Sequence, residues 1–308
     1  ANALASSLKS RYSVHNTELV DINNMRTERI LVPFAKMQGT GNDYIYFNCM
    51  EREIDNPEGL SVRLADRRYG IGGDGVVLIL PSKVADAKMR TFNLDGSEGR
   101  IGGNGIRCVG KYLYDHNIVK KPTMTIETLS GIKTIHLHKR YGEVTMVSVD
   151  MGKPIFDPAL IPVKMDGDKI INRHAVIGDR DYRITCLSVG NPHCVVFHPN
   201  VDALDISSLG PLFEESEIFP DRVNAEFVKV LDDRTIRMRV WERGSGETWA
   251  CGTGACAAVV AAVENGYCRK GEEITVKLVG GDLKVKYDDS GITLTGDAVL
   301  VYEGFVQL

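Results

Sequence analysis

A constant spacing between look-alike turns constrains this chain more than any other feature. Gly41-Asn42 matches Gly190-Asn191, and 190 − 41 = 149. Asn93 and Glu242 each open the segment before a glycine turn, and 242 − 93 = 149. The GGNG turn at Gly102 matches the CGTG turn at Cys251, and 251 − 102 = 149. One such match is chance. Three in register, each at a strand-to-turn junction, indicate two copies of one α/β unit rather than a solenoid. The chain's 308 residues leave room for two such units, each of about 150 residues.

The unit is strand-rich. Short alternating or apolar runs bounded by glycines read as strands, among them VVLIL, TMTIETL, TIHLHK, NAEFVKVL, TIRMRVW and DLKVKY. Helices are predicted over 58–69, 104–116, part of 201–219, and Ala255–Asn265 with Gly266 as its stop. IGGDG precedes a strand, whereas a dinucleotide-binding fingerprint needs glycines that open a helix, so that reading fails. The predicted fold is α/β (α+β) with two pseudo-symmetric halves, 30–149 plus 297–308 and 150–296. The final strand is expected to return to the first half. Residues 1–29 are set aside as an expression remnant, a natural extension or the stump of a processed leader.

The stretch Trp241–Gly266 carries the chemistry. Its alanine-rich helix is apolar all round and therefore expected to be buried. Cys251 stands immediately before that helix, where free N–H groups and the dipole favour a thiolate. It is accordingly expected to be the most readily alkylated of the seven cysteines. The glycines at 252 and 254 let a ligand carboxylate approach the backbone amides.

Composition removes other classes. A net charge of −4 without a Lys/Arg block gives no hint of nucleic acid, and no apolar run is long enough to span a membrane. Seven cysteines without a CxxC pair indicate reduced thiols in a cytoplasmic setting, a plastid also being compatible. His136 and His138 share a strand face but have no third ligand nearby, so they read as a polar face and no metal is expected.

Two copies facing one another would aim two helix N-termini into one cleft, around a substrate α-carboxylate. Bases on opposite sides could then remove a proton from one face of a carbon and return one to the other. Cys251 supplies one side, but its repeat partner, Gly102, has no side chain.

GTGNDY, RYGIGGDG, FNLDGSEGRIGGNGIRC, GNPHC, the segment 219–224 and WERGSGETWACGTGAC together resemble the diaminopimelate epimerase family, in its order, from Leu31 to Leu308. CGTG alone also fits proline racemases; ERGSGET and GNPH favour the former. The resemblance implies two pseudo-symmetric halves, each a barrel-like sheet around a central helix, no cofactor, and a homodimer. It implies two thiols inverting one centre of LL- and meso-diaminopimelate. It assigns catalysis to Cys251 paired with Glu242, and to His193 paired with a thiol that the family carries where this chain has Gly102. Asn42, Asn93, Asn191, Asn224 and Arg243 match substrate-binding positions, and Gly103-Asn104 and Gly252-Thr253 match the carboxylate-binding turns. Gly75 falls where some members have Gln.

Gly102 is the departure from the pattern. Cys108 would lie about 240° around and 9 Å along a helix from position 102, and Cys194 would point to the strand face opposite His193. An engineered change, a degenerate natural copy and a variant that uses water all fit. Two rivals follow: a same-fold isomerase using a single acid/base, and a non-catalytic amino-acid-binding relative.

Overall fold

The repeat read from the turns extends to the pairing of the strands. The computed structural model describes residues 30–99 and 103–308. Gly102 and the extension expected over 1–29 lie outside the described residues. The first half contains β1 (Leu31–Gly39), β2 (Asn42–Asn48), α1 (Pro57–Leu64), β3 (Gly75–Leu80), β4 (Ala87–Asn93) and β5 (Glu98–Gly99). It continues through α2 (Gly103–Asp115), β6 (Thr123–Thr128), β7 (Gly131–Arg140) and β8 (Glu143–Gly152). The second half contains β9 (Ile170–Ile177), β10 (Arg180–Ser188), β11 (Pro192–Phe197), a 3₁₀ turn (Val201–Ala203) and α3 (Ile206–Glu214). After these come β12 (Asn224–Asp232), β13 (Thr235–Glu242), β14 (Gly246–Thr248) and α4 (Gly252–Glu264). The chain ends with β15 (Glu273–Lys277), β16 (Asp282–Asp288), β17 (Gly291–Asp297) and β18 (Val299–Gln307).

Register repeats at the same offset. Parallel β2 and β3 pair Tyr44 with Gly75, and parallel β11 and β12 pair His193 with Asn224, so 193 − 44 = 224 − 75 = 149. Thr91 faces Gly99 across β4 and β5 as Val240 faces Thr248 across β13 and β14, again 149 apart. α2 and α4 are both 13 residues long and start 149 apart. One extra residue in the second copy follows the helix: Ala87 pairs with Ile126 and Ile236 with Val276, so the offset on β6 and β15 becomes 276 − 126 = 150.

The ladder order has a centre. It runs β18-β1-β2-β3-β4-β6-β7-β8, then β17-β16-β15-β13-β12-β11-β10-β9, with β5 on β4 and β14 on β13. β8 meets β17 in the middle, and β18 stands to β1 as β9 stands to β10. We propose the joint between the halves at residues 149 and 150, within β8, as expected from the spacing. Residues 33–304 form one compact unit. Residues 30–32 and 305–308 belong to another, in which Leu308 N–H donates to the Ile30 carbonyl at 3.0 Å.

Helix bounds differ from the sequence reading at α1. It stops at Leu64 because the Asp66 side chain accepts the N–H groups of Arg68 and Tyr69, both at 2.7 Å, and turns the chain out of the helix. α4 starts three residues earlier than predicted, with Cys251 as its N-cap. It is buried continuously from Gly252 to Ala262, as a helix apolar on all sides must be. α2 and α4 enter one apolar core; a second core lies between α3 and the strands β9 to β12.

The largest fully buried side chain is a charged one, Arg107 on α2. Its Nε donates to the Asp297 carbonyl (2.9 Å), Nη1 to Asn104 Oδ1 (2.8 Å) and the Gly103 carbonyl (3.2 Å), and Nη2 to Thr40 Oγ1 (2.9 Å). One guanidinium thus fastens the first turn of α2 to the β1–β2 turn and to the end of β17. Replacing it with an apolar side chain strands those acceptors in a dry interior. Arg107→Met is expected to lower stability by about 3–5 kcal/mol in urea denaturation, and a loss below about 1 kcal/mol would show that the brace is dispensable.

Candidate active site

Both glycine turns end at one point. A Cβ added to Gly103 would lie 3.7 Å from the Gly252 Cα, and one added to Gly252 would lie 3.5 Å from the Gly103 Cα and 3.0 Å from Leu294 Cδ2. The N-termini of α2 and α4 therefore approach to van der Waals contact. The Asn104 side chain stitches the two together by donating to the Ala250 carbonyl at 3.1 Å. Helix starts leave N–H groups without intrahelical partners, and two such starts side by side are the kind of place that suits an anion.

Cys251 caps α4. Its Sγ accepts the Gly254 N–H at 3.3 Å and lies 3.5 Å from Thr253 Oγ1. Glu242, at the end of β13, accepts hydrogen bonds from the Thr248 hydroxyl and the Cys251 thiol. Burial pushes the Glu242 carboxyl upward against those two bonds. The expectation of a helix-activated thiolate needs correction here. Burial raises the Cys251 thiol well above its ordinary range, the Glu242 and Glu226 carboxylates push it the same way, and the bonds from Thr253 and Gly254 only oppose this. All seven cysteines are buried, Cys251 at 5% exposure, so helix position alone does not make it the readiest to label.

His193, on β11, is fully buried. Its Nδ1 lies 2.6 Å from Glu226 Oε1 and its Nε2 lies 2.9 Å from Asn191 Oδ1. Asn191 Nδ2 donates to Thr253 Oγ1 at 3.3 Å. A single line of contacts therefore runs Glu226, His193, Asn191, Thr253, Cys251, Glu242. Asn224 faces His193 in register, donates to the Pro192 carbonyl at 3.0 Å and accepts the Arg243 N–H at 2.9 Å. The Arg243 side chain is exposed and donates to the Asp221 carbonyl at 2.8 Å.

The first half contributes quieter chemistry. Asn42 Nδ2 donates to Asp74 Oδ2 at 2.6 Å, and Asp74 also takes the Asp43 N–H and Arg67, both at 3.0 Å. Asn93 donates to Ser97 Oγ at 3.1 Å and faces Gly75 in register. With this backbone, a Cβ at Gly75 would lie 2.0 Å from the Phe92 carbonyl oxygen, so glycine is obligatory there.

Some site residues escaped the sequence reading. Tyr44 is the register counterpart of His193, since 193 − 149 = 44; it is buried, and its hydroxyl bonds Asn42. The repeat arithmetic was its signal. Glu226 announced itself only as a carboxylate inside an apolar strand, and Asp74 and Thr248 left no signal. Cys108 is fully buried beside the Tyr46 hydroxyl and pushed up to about 11, chiefly by burial. Cys194 faces Cys186 across β10 and β11. Neither takes part in the line of contacts. His136 and His138 bond Thr123 Oγ1 (2.9 Å) and Ser148 Oγ (2.6 Å) on neighbouring strands. Among the described residues no group of three or more His, Cys, Asp or Glu side chains is arranged to hold a metal ion.

Comparison with known proteins decides the family. The family described as diaminopimelate epimerase matches residues 34–156 and 185–301. The chain belongs to the diaminopimelate epimerase family. It is 49% identical over 277 residues to the diaminopimelate epimerase of Acetivibrio thermocellus, covering 89% of this chain and 98% of that one. The Desulfovibrio desulfuricans diaminopimelate epimerase is 47% identical over 283 residues, covering 89% of this chain and 98% of that protein. A hydroxyproline epimerase from Agrobacterium vitis shares the fold, with a TM-score of 0.68 at 16% identity, over 92% of this chain and 94% of that one. So does a methylitaconate-delta-isomerase, with a TM-score of 0.62 at 15% identity, over 92% of this chain and 96% of that one.

The electrostatics of the Cys251 pocket can be tested without substrate. A thiol raised by burial and by adjacent carboxylates is neutral at pH 7 and ionises only as pH climbs past the ordinary thiol range, near 8.5. Iodoacetamide labelling of Cys251, followed by mass spectrometry, is expected to be slow at neutral pH and still rising beyond about pH 9. Glu242→Gln removes one opposing charge and is expected to bring that rise to lower pH. A plateau already reached at about pH 7 would refute this.

Proposed function

We propose that this chain acts on diaminopimelate, interconverting the LL and meso isomers by removing and returning an α-proton, in the supply of lysine and peptidoglycan precursors. The observation that carries the reading is the meeting of two helix N-termini at Gly103 and Gly252 beside Cys251 and Glu242. A substrate carboxylate held between Gly103-Asn104 and Gly252-Thr253 would draw electron density from the α-carbon and stabilise the carbanion as it forms. No cofactor is needed in this scheme.

Cys251, backed by Glu242, serves one face of the carbon. The opposite face belongs to His193 and, in the family pattern, to a thiol at the position of Gly102. Asn42, Asn93, Asn191, Asn224 and Arg243 hold the rest of the substrate, Arg243 by turning from the Asp221 carbonyl to a carboxylate. We further propose a homodimer in the cytoplasm. No helix among the described residues is long and apolar enough to cross a membrane.

Gly102 specifically favours a second, narrower reading, a one-sided enzyme. Cys251 would exchange the α-hydrogen of the isomer that presents it, and the other isomer would wait on water or His193. Proton NMR in D₂O with each isomer separates inversion, one-sided exchange and binding alone. Epimerisation by the chain as it stands is expected to be at least about 10²–10⁴-fold slower than by a Gly102→Cys variant. Cys251→Ala in the Gly102 background is expected to abolish exchange with either isomer. Equal rates for the parent and the Gly102→Cys variant would overturn the two-thiol scheme, and absence of both binding and exchange would overturn the substrate assignment.

A further inference from the structure

Glu226 is a fully buried carboxyl group that the scheme above leaves without a task. Oε1 lies 2.6 Å from His193 Nδ1, while Oε2, also buried, has no hydrogen-bond partner among the described residues. Burial pushes this carboxyl upward, and His193 opposes that push. Such a group is expensive to keep in a dry interior.

The fold itself does not ask for it. Glu226 pairs with Val240 on β13, and in the first half Val77 pairs with Thr91 on β4, so 226 − 77 = 240 − 91 = 149. Val77 is fully buried at the equivalent place, so the same architecture closes around an apolar side chain. The companion of Val77's neighbourhood is Tyr44, where the second half has His193. Carboxyl and imidazole thus occur together in one half and are absent together from the other. Glu226 also sits against α4: a Cβ at Gly254 would lie 2.8 Å from its Oε1 and 3.2 Å from Cys251 Sγ. Its charged neighbours are His193 on β11, Glu242 on β13 and Cys251 at the start of α4.

We propose that Glu226 is a positioning residue for His193, holding the Nδ1 proton so that Nε2 is the atom that exchanges protons with the cleft. With Nδ1–H donated to the Glu226 carboxylate, a proton gained at Nε2 makes an imidazolium beside a carboxylate. Loss of that proton from Nε2 returns the neutral ring with Nδ1–H still in place. Nε2 faces Asn191, whose side chain leads to Thr253 and Cys251, so the ring lies on the line joining the two half-sites. The activity part of the test rests on the diaminopimelate reading; the spectroscopic part does not.

The spectroscopic arm is ¹⁵N-histidine NMR of the unmodified chain, with His193→Gln used to assign the signal. The neutral ring of His193 is expected to be the Nδ1–H tautomer, and a bare Nδ1 overturns the proposal. The activity arm uses Glu226→Gln and Glu226→Asp in the Gly102→Cys background, with exchange of each isomer into D₂O read separately. Glu226→Gln is expected to slow exchange on the His193 face about 100-fold at a KM changed less than about twofold, with Glu226→Asp recovering part of the loss. Exchange on the Cys251 face is expected to hold or to rise, because a carboxylate opposing the thiolate is gone. Equal loss on both faces with a lowered melting temperature identifies a structural carboxyl and overturns the proposal, as does no change on either face. If the Gly102→Cys parent turns over neither isomer, the substrate reading fails instead, and the tautomer measurement decides the role of Glu226.

Discussion

Two helix N-termini in contact are electrostatically uncomfortable, and much of the molecule follows from that contact. Each helix start carries partial positive charge and unpaired N–H groups. Bringing α2 and α4 together at Gly103 and Gly252 sets like ends against one another. The contact is held by a polar stitch, the Asn104 amide on the Ala250 carbonyl, while the Arg107 guanidinium behind it adds positive charge and no carboxylate side chain occupies the first turn of either helix. Strain of this sign is relieved by an anion, which is why the proposed substrate carboxylate is placed at this contact.

The duplication makes the chemistry easier to see because the halves have diverged at paired positions. Tyr44, Gly75, Val77, Asn93 and Arg107 in the first half stand where the second has His193, Asn224, Glu226, Glu242 and Cys256. At these paired positions the acid–base groups gather in the second half, and the first keeps a wall braced by Arg107. The main-chain frame is common to both, so each difference is a change of side chain on one scaffold. A pair of that kind separates what the fold requires from what the reaction requires.

Much of this was legible beforehand. The spacing of 149 residues predicted the paired halves, and its arithmetic located the turns that meet in the site. Cys251 in front of a buried helix was read correctly as to position. Its charge state was not, because periodicity tells that a helix is buried but not which carboxylates lie beside its cap. Asp74 was invisible and Glu226 nearly so for a related reason: their importance lies in contacts with Asn42 and His193, and the one local sign was a carboxylate inside an apolar strand. The end of α1 was misjudged because the Asp66 side chain competed with the helix for backbone N–H groups.

The return of β18 to β1 has a consequence for how the chain matures. During synthesis the first eight strands leave the ribosome long before residues 299–307 exist, so β1 waits with one edge unpaired. An open strand edge invites pairing with other chains, and contacts this distant in sequence form slowly. The two halves therefore cannot mature as independent beads, although each is a full copy of the same unit. The first is released as an incomplete sheet, and its last strand arrives only when the second has been made.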